Sequence, residues 1–206
     1  MGDIVFNARR QATALTRLFC YHARMSNPNI GQRPYQLVEY DPEWPKLFEA
    51  YSNQIKGILG NDLLEIHHLG STSIPGMFAK PNIDIYALAS SLDTVRSHKD
   101  GFEEAGFASR GDYSNIGEEY FTLDTPEGER IASVHIFEGS PEVFEDYKNF
   151  RDYLIANDSE RQRYIDLKRK LYDQYKDDYP SYDAGKKQLI DELKQKTRTW
   201  ARKNNG

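Results

Sequence analysis

His68-Leu69-Gly70-Ser71-Thr72-Ser73-Ile74-Pro75-Gly76, followed three residues later by Lys80-Pro81-Asn82-Ile83-Asp84-Ile85-Tyr86-Ala87-Leu88, is the stretch on which the fold turns. Leu63 to Leu69 reads as a strand that runs straight into a loop of glycine and hydroxyl residues. After the Lys80-Pro81 break the chain alternates, placing Ile83, Ile85 and Ala87 on one face and Asn82, Asp84 and Tyr86 on the other. Two strands with a small polar loop between them, and an acid turned away from the aliphatic side, begin an α/β unit.

Working outward, Asp41 and Pro42 open a helix in which Trp44, Leu47, Phe48, Tyr51, Ile55, Ile58 and Leu59 recur at helical spacing, and Gly60-Asn61 closes it. Beyond the second strand a helix is expected over Leu92 to Ala105, weakened at Gly101, with an extended stretch from Gly106-Phe107. Glu119 to Leu123 and Arg130 to Phe137 flank Thr125-Pro126-Glu127-Gly128 and form a hairpin, with Ile131, Ser133, His135 and Phe137 sharing one face. The last third is helical: Val143, Tyr147, Phe150 and Leu154 form one stripe, Tyr164, Leu167, Leu171 and Tyr175 another, and a final helix after Pro180 carries Leu189, Ile190, Leu193 and Trp200. No repeat or linker divides these elements. The expectation is a single α/β (α+β) domain over residues 35–206, a mixed sheet with flanking helices and a helical C-terminal third.

Bulk properties narrow the function classes. In 206 residues, 38% are hydrophobic, 29% charged and 13% aromatic, with 14 tyrosines, which describes a globular chain and not a disordered one. No apolar run approaches the roughly 18 to 20 residues that cross a bilayer, no secretory signal opens the chain, and Cys20 stands alone, so a soluble, cytoplasmic protein without disulfides is expected. Residues 1–34 hold five arginines against Asp3, while the remainder carries 22 basic and 31 acidic residues. The acidic body argues against a general nucleic-acid binder. The arginine-rich start reads as a poorly ordered extension rather than an organellar presequence, with Met25 as an alternative first residue.

The loop carries the chemistry. Glycine lets backbone amides approach phosphate oxygens and the hydroxyls of Ser71, Thr72 and Ser73 add donors, although such a turn is often only a turn. Asp84, thirteen residues after Ser71 on the neighbouring strand, changes that balance, because a carboxylate there can hold Mg²⁺ against the same phosphates.

These segments closely resemble the GrpB family, as do Tyr40-Asp41-Pro42-Glu43-Trp44, Ala79-Lys80-Pro81, Phe150-Arg151-Asp152-Tyr153-Leu154, Tyr164-Ile165-Asp166-Leu167-Lys168, and Tyr182 with Lys186, in the same order. The resemblance spans Tyr35 to Trp200. It implies a nucleotidyltransferase-like fold, a nucleoside triphosphate as small-molecule ligand, and a connection to coenzyme A through a related module fused to dephospho-coenzyme A kinase. On this reading Gly70, Ser71, Thr72 and Ser73 grip the phosphates, Asp84 binds Mg²⁺ and is catalytic, and His135 assists as a second metal ligand. Lys80, Arg151, Lys168 and Lys186 would steady the ligand.

One departure matters. Active nucleotidyltransferases place two acids at alternate strand positions, and here Asp84 is followed by Tyr86. The family's His-Leu-His reads Ser133-Val134-His135, which leaves His135 as the candidate second ligand ahead of Glu118, Glu119 and Glu138. Adjacent His67 and His68 point to opposite faces of a strand, which disfavours a shared zinc and makes His68 a support for the loop. Lys80 reads equally as a solvated turn residue, and Arg151, Lys168 and Lys186 read more readily as stems covering the core with their heads paired to acids. A metal-dependent nucleotidyltransferase leads; a non-catalytic nucleotide or coenzyme A binding module is the alternative.

Overall fold

The structure, a computed structural model, describes residues 36–113, 116–139 and 141–204. The expected N-terminal extension, with Cys20 and Met25, lies outside the described residues. Helix α1 spans Trp44–Leu59 and starts where Asp41 Oδ1 accepts the Glu43 amide at 2.9 Å; Pro45 sits in its first turn, where no intrahelical bond is lost. Its buried stripe is Trp44, Leu47, Tyr51, Ile55 and Leu59, as the spacing requires. A 3₁₀ turn over Gly60–Asp62 leads into β1 (Leu63–Leu69), a second 3₁₀ turn covers Ser71–Ser73, and β2 follows over Ile83–Ala89.

The helix expected over Leu92 to Ala105 is two short ones, α2 (Leu92–Ser97) and α3 (Lys99–Glu104), meeting at His98. Ser91 caps the first by accepting the Asp93 amide. Gly101 lies so close to α1 that a Cβ would stand 3.3 Å from Ile58. Strands β3 (Ala108–Gly111), β4 (Glu118–Asp124) and β5 (Arg130–Glu138) come next, then helices α4 (Glu142–Ala156), α5 (Asp158–Gln174) and α6 (Tyr179–Asn204).

The five strands form one mixed sheet in the order β1-β2-β5-β4-β3. β2 and β5 run parallel, and every other pair is antiparallel. Ile83, Ile85, Ala87, Ala132, Val134, Ile136 and Phe121 are all buried in the main core with Trp44, Ile55, Val95 and Phe102, so α1 to α3 cover that face. The register sets Asp84 beside Ser133, Tyr86 beside His135, and His135 beside Tyr120, all turned to the opposite face. There a smaller cluster of Leu69, Tyr86, Leu88 and Phe137 packs on Phe144 of α4. Helices α4, α5 and α6 pack on one another, and α4 also reaches β1, which brings the C-terminal third against the strand-loop-strand unit.

No helix of the described residues is long and apolar enough to cross a membrane.

Candidate functional site

Leu69 pairs with Asp84 across the antiparallel β1/β2 ladder, so the first residue of the loop, Gly70, meets the acid at once. Gly70 has φ 71° and ψ −173°, a conformation essentially reserved for glycine. A Cβ there would lie 2.2 Å from Asp84 Oδ2, so the bare backbone is what lets the carboxylate lie against the loop. The turn is then closed by its own hydroxyls. Ser73 Oγ donates to the Gly70 carbonyl at 2.6 Å, and Thr72 Oγ1 donates to the Asn82 carbonyl at 2.9 Å.

Because Thr72 donates its proton to Asn82, it can only accept from His68 Nε2, 3.0 Å away, which fixes the Nε2-protonated tautomer. The His68 ring also stacks on Phe48 with centroids 5.0 Å apart. Burial, reinforced by the Arg151 guanidinium, pushes its pKa down to about 4. Arg151 donates through Nη1 to the His68 carbonyl at 3.0 Å and through Nε to Asp152. His68 and Arg151 are therefore braces of the strand end, and His67 lies on the other face, against Phe144 and Glu65.

A cavity of about 160 Å³ opens at the loop, lined by Ser71, Thr72, Asp84 and Asn82 on one side and by three lysines with three tyrosines on the other. Lys80 lies over the Tyr179 ring at 4.3 Å, Lys186 over Tyr182 at 4.6 Å and Lys168 over Tyr164 at 5.2 Å. Lys168, deeply buried, donates to Ser71 Oγ at 3.0 Å. Lys186 pairs with Asp183, whereas neither Lys80 nor Lys168 has an ion-pair partner among the described residues. The aromatic faces position these ammonium groups without neutralising them. Asp84 is the acid of this cavity, with Asn82 Nδ2 donating to its Oδ1 at 2.5 Å.

Burial pushes the Asp84 carboxyl up to about 6, against the pull of His135, Lys80, Asn82 and Lys168. Burial pushes Lys168 down to about 7, aided by Lys186. Both shifts have one cause, low polarity around a charge, and an anion entering the cavity would favour the charged lysine. A second, more apolar cavity of about 320 Å³ shares Ser71 and Tyr164 as its wall and is lined by Gly70, Tyr147, Phe150, Arg151 and Lys194 among others.

The expected residues thus divide. Ser71, Thr72, Lys80, Asp84, Lys168 and Lys186 meet in one cavity; Gly70, packed against Asp84, and Arg151 line the neighbouring one; and Ser73 bonds inward. His135 stands apart. Its Nδ1 meets Glu118 Oε2 at 2.6 Å, and its ring lies between Tyr86 and Tyr120, with centroids 4.5 and 4.6 Å away. Glu118 is fully buried. Glu119 pairs with Arg96 and Glu138 accepts the Leu92 amide, so neither is a ligand for the cavity. Tyr164 and Tyr182 stand in the segments of the family resemblance without a site role, Tyr179 carries no sequence signal beyond helical spacing, and the pairing of Glu118 with His135 depends on strand register.

Residues 34–196 match the family described as GrpB protein. The chain belongs to the GrpB family. It is 32% identical over 160 residues to the glutamate-rich protein GrpB of Alkalihalophilus pseudofirmus, covering 76% of this chain and 92% of that one. It is 29% identical over 174 residues to the UPF0157 protein YqkA of Bacillus subtilis, covering 84% of this chain but only 50% of that longer relative. The crystal structure of the conserved protein GrpB from Enterococcus faecalis matches with a TM-score of 0.73 at 28% identity, over 80% of this chain and 99% of that one. A dephospho-CoA kinase of Mycolicibacterium paratuberculosis is 26% identical over 94% of this chain and 53% of its own length.

For a GrpB chain expected to hold Mg²⁺ between Asp84 and His135, the donor set is a poor fit. Asp84 is one carboxylate in a cavity lined by three lysines, and among the described residues no group of three or more His, Cys, Asp or Glu could hold a metal ion. A divalent ion bound by protein alone needs several oxygen ligands and is repelled by neighbouring cations.

Two outcomes follow for this GrpB loop. Gly70→Ala should destabilise the fold by about 2 kcal/mol or more, since it adds a Cβ in a glycine-only conformation and displaces Asp84; a urea midpoint within error of wild type would refute the close packing. His68 prefers its neutral form when folded, so its stabilisation is complete above the unfolded pKa near 6.5 and is lost as pH falls through about 4. The wild type should lose about 2 to 3 kcal/mol more than His68→Gln between roughly pH 7 and pH 4; parallel pH profiles would exclude the brace.

Proposed function

We propose that the protein binds a nucleoside triphosphate by its phosphate chain and transfers the nucleotidyl group to a small-molecule acceptor. The observation that carries this reading is the convergence of Lys80, Lys168 and Lys186 on the Ser71 loop with Asp84 as the one acid among them. On an acidic protein of net charge −5, such a positive cavity selects anions locally instead of binding polyanions over its surface. Its volume suits a phosphate chain and is below the roughly 300 Å³ of a typical whole-ligand site, so the organic part would occupy the adjoining cavity across Ser71 and Tyr164.

The reaction then needs little from the protein beyond positioning and charge. An acceptor hydroxyl attacks the α-phosphorus, its proton passes to Asp84, the bond to the bridging oxygen breaks, and pyrophosphate leaves with its charge held by the lysines. Asp84 is suited to the proton because it lies against the loop in the same cavity and its carboxyl is pushed toward neutrality. The Mg²⁺ that the GrpB resemblance implies has one protein carboxylate available here, and no step depends on it.

A second reading, a nucleotide or coenzyme A binding module without catalysis, is favoured by Tyr86, a neutral ring where a second acid is expected. Incubation of labelled nucleoside triphosphates with hydroxyl and amine acceptors separates the two. Acceptor-dependent pyrophosphate release that falls about 100-fold or more in Asp84→Asn supports transfer. Tight nucleotide binding with no turnover across the panel would leave the binding module.

A further inference from the structure

Four observations around the lysine cavity fit one another better than they fit a metal site. Three lysines reach it from three places in the chain: Lys80 from the connection before β2, Lys168 from α5 and Lys186 from α6. Each sits over a tyrosine ring, which fixes its position while leaving its charge available. The one acid lining the cavity, Asp84, is held by Asn82 on one oxygen and lies against Gly70 on the other, so it is wedged into the wall, while Asp183 pairs with Lys186. The alternate strand position, where a second metal-binding acid would stand, holds Tyr86, buried, stacked on His135 and in tilted contact with Tyr147.

From this arrangement we infer that the cavity recognises a metal-free phosphate group, with Lys80, Lys168 and Lys186 supplying the positive charge that a divalent cation supplies elsewhere. The inference rests on the proposed phosphate-binding role and specifies the form of the ligand. Three ammonium groups against Asp84 and Asp183, the partner of Lys186, leave a net charge near +1, which an incoming anion balances and a further cation does not. A Mg²⁺ already chelated by the phosphates would halve or cancel the ligand's charge and bring a second cation among the lysines, so it competes with the protein for the same oxygens. Asp84 then has a definite sign of effect. It is a negative charge beside an anion, and its removal helps binding where a metal-ligand role demands that removal hurt.

Calorimetric titration of the full chain with ATP and with inorganic tripolyphosphate, each in excess EDTA and in excess Mg²⁺, tests the inference. Binding of both ligands is expected in EDTA, about tenfold weaker in Mg²⁺ and about tenfold or more weaker in Lys168→Met. Asp84→Asn, which keeps the side-chain shape against Gly70, is expected to bind several-fold tighter in EDTA, with an unchanged thermal midpoint or a higher one confirming that it folds. Binding that requires Mg²⁺, or that disappears in a folded Asp84→Asn, would overturn the inference and leave the phosphate-binding function standing. No binding of either ligand under any condition would overturn both.

Discussion

The contact between Gly70 and Asp84 is the constraint from which the site is built. β1 and β2 are antiparallel neighbours whose register ends at Leu69 and Asp84, so the chain must leave the sheet directly over a carboxylate. Only a residue without Cβ, in a left-handed conformation, can do that. Once the exit is fixed, Ser73 and Thr72 close the turn with their own hydroxyls, and Ser71 is left at the cavity wall, where Lys168 meets it from α5. The loop thereby joins the C-terminal helices to the sheet. A polar seam that would be costly if unsatisfied is completed by hydrogen bonds from both sides.

The lysines pose a second physical problem, since like charges gathered in a low-polarity cavity repel and lose hydration. Burial and the neighbouring Lys186 both push Lys168 toward neutrality. A protein concerned with stability alone would pair each lysine with an acid, as the surface of this chain does for Arg163 with Glu192 and Arg198 with Asp146. Inside the cavity only Lys186 has such a partner among the described residues, Asp183, while Lys80 and Lys168 meet π faces, a hydroxyl and the Asp84 carboxylate. Charge left without an ion-pair partner among the described residues at Lys80 and Lys168 is what the proposed anion-binding role rests on.

Much of this was legible in the residues, for physical reasons that differ between elements. α1 announced itself because Trp44 to Leu59 buries one face, and the alternation in Asn82 to Leu88 placed Asp84 opposite Ile83 and Ile85, as the sheet does. Gly70 and Ser71 stood out because their residue types suit few other roles next to a strand end. Lys168 and Lys186 came from the family resemblance, while their stripes alone suggested stems over the core. What stayed hidden depends on contacts distant in sequence: Tyr164 and Ser71 meet across more than ninety residues, and Glu118 finds His135 only through the β4/β5 ladder. Arg151 shows what a residue type alone leaves open, since its guanidinium donates to the His68 carbonyl and Asp152 while its side chain lines the neighbouring cavity.

Tyr86 ties these points together. Its position lies over the small apolar cluster of Leu69, Leu88, Phe137 and Phe144, with Tyr147 and His135 against its faces. Burial raises its pKa, so it stays neutral. A carboxylate in its place would gain His135 as a neighbour but lose the apolar floor and the two ring contacts, and it would add a second negative charge near Asp84. The replacement of an acid by a tyrosine and the accumulation of lysines on α5 and α6 are therefore not independent. Together they leave this side of the sheet with a neutral ring at position 86 and three lysines lining the cavity beside Asp84.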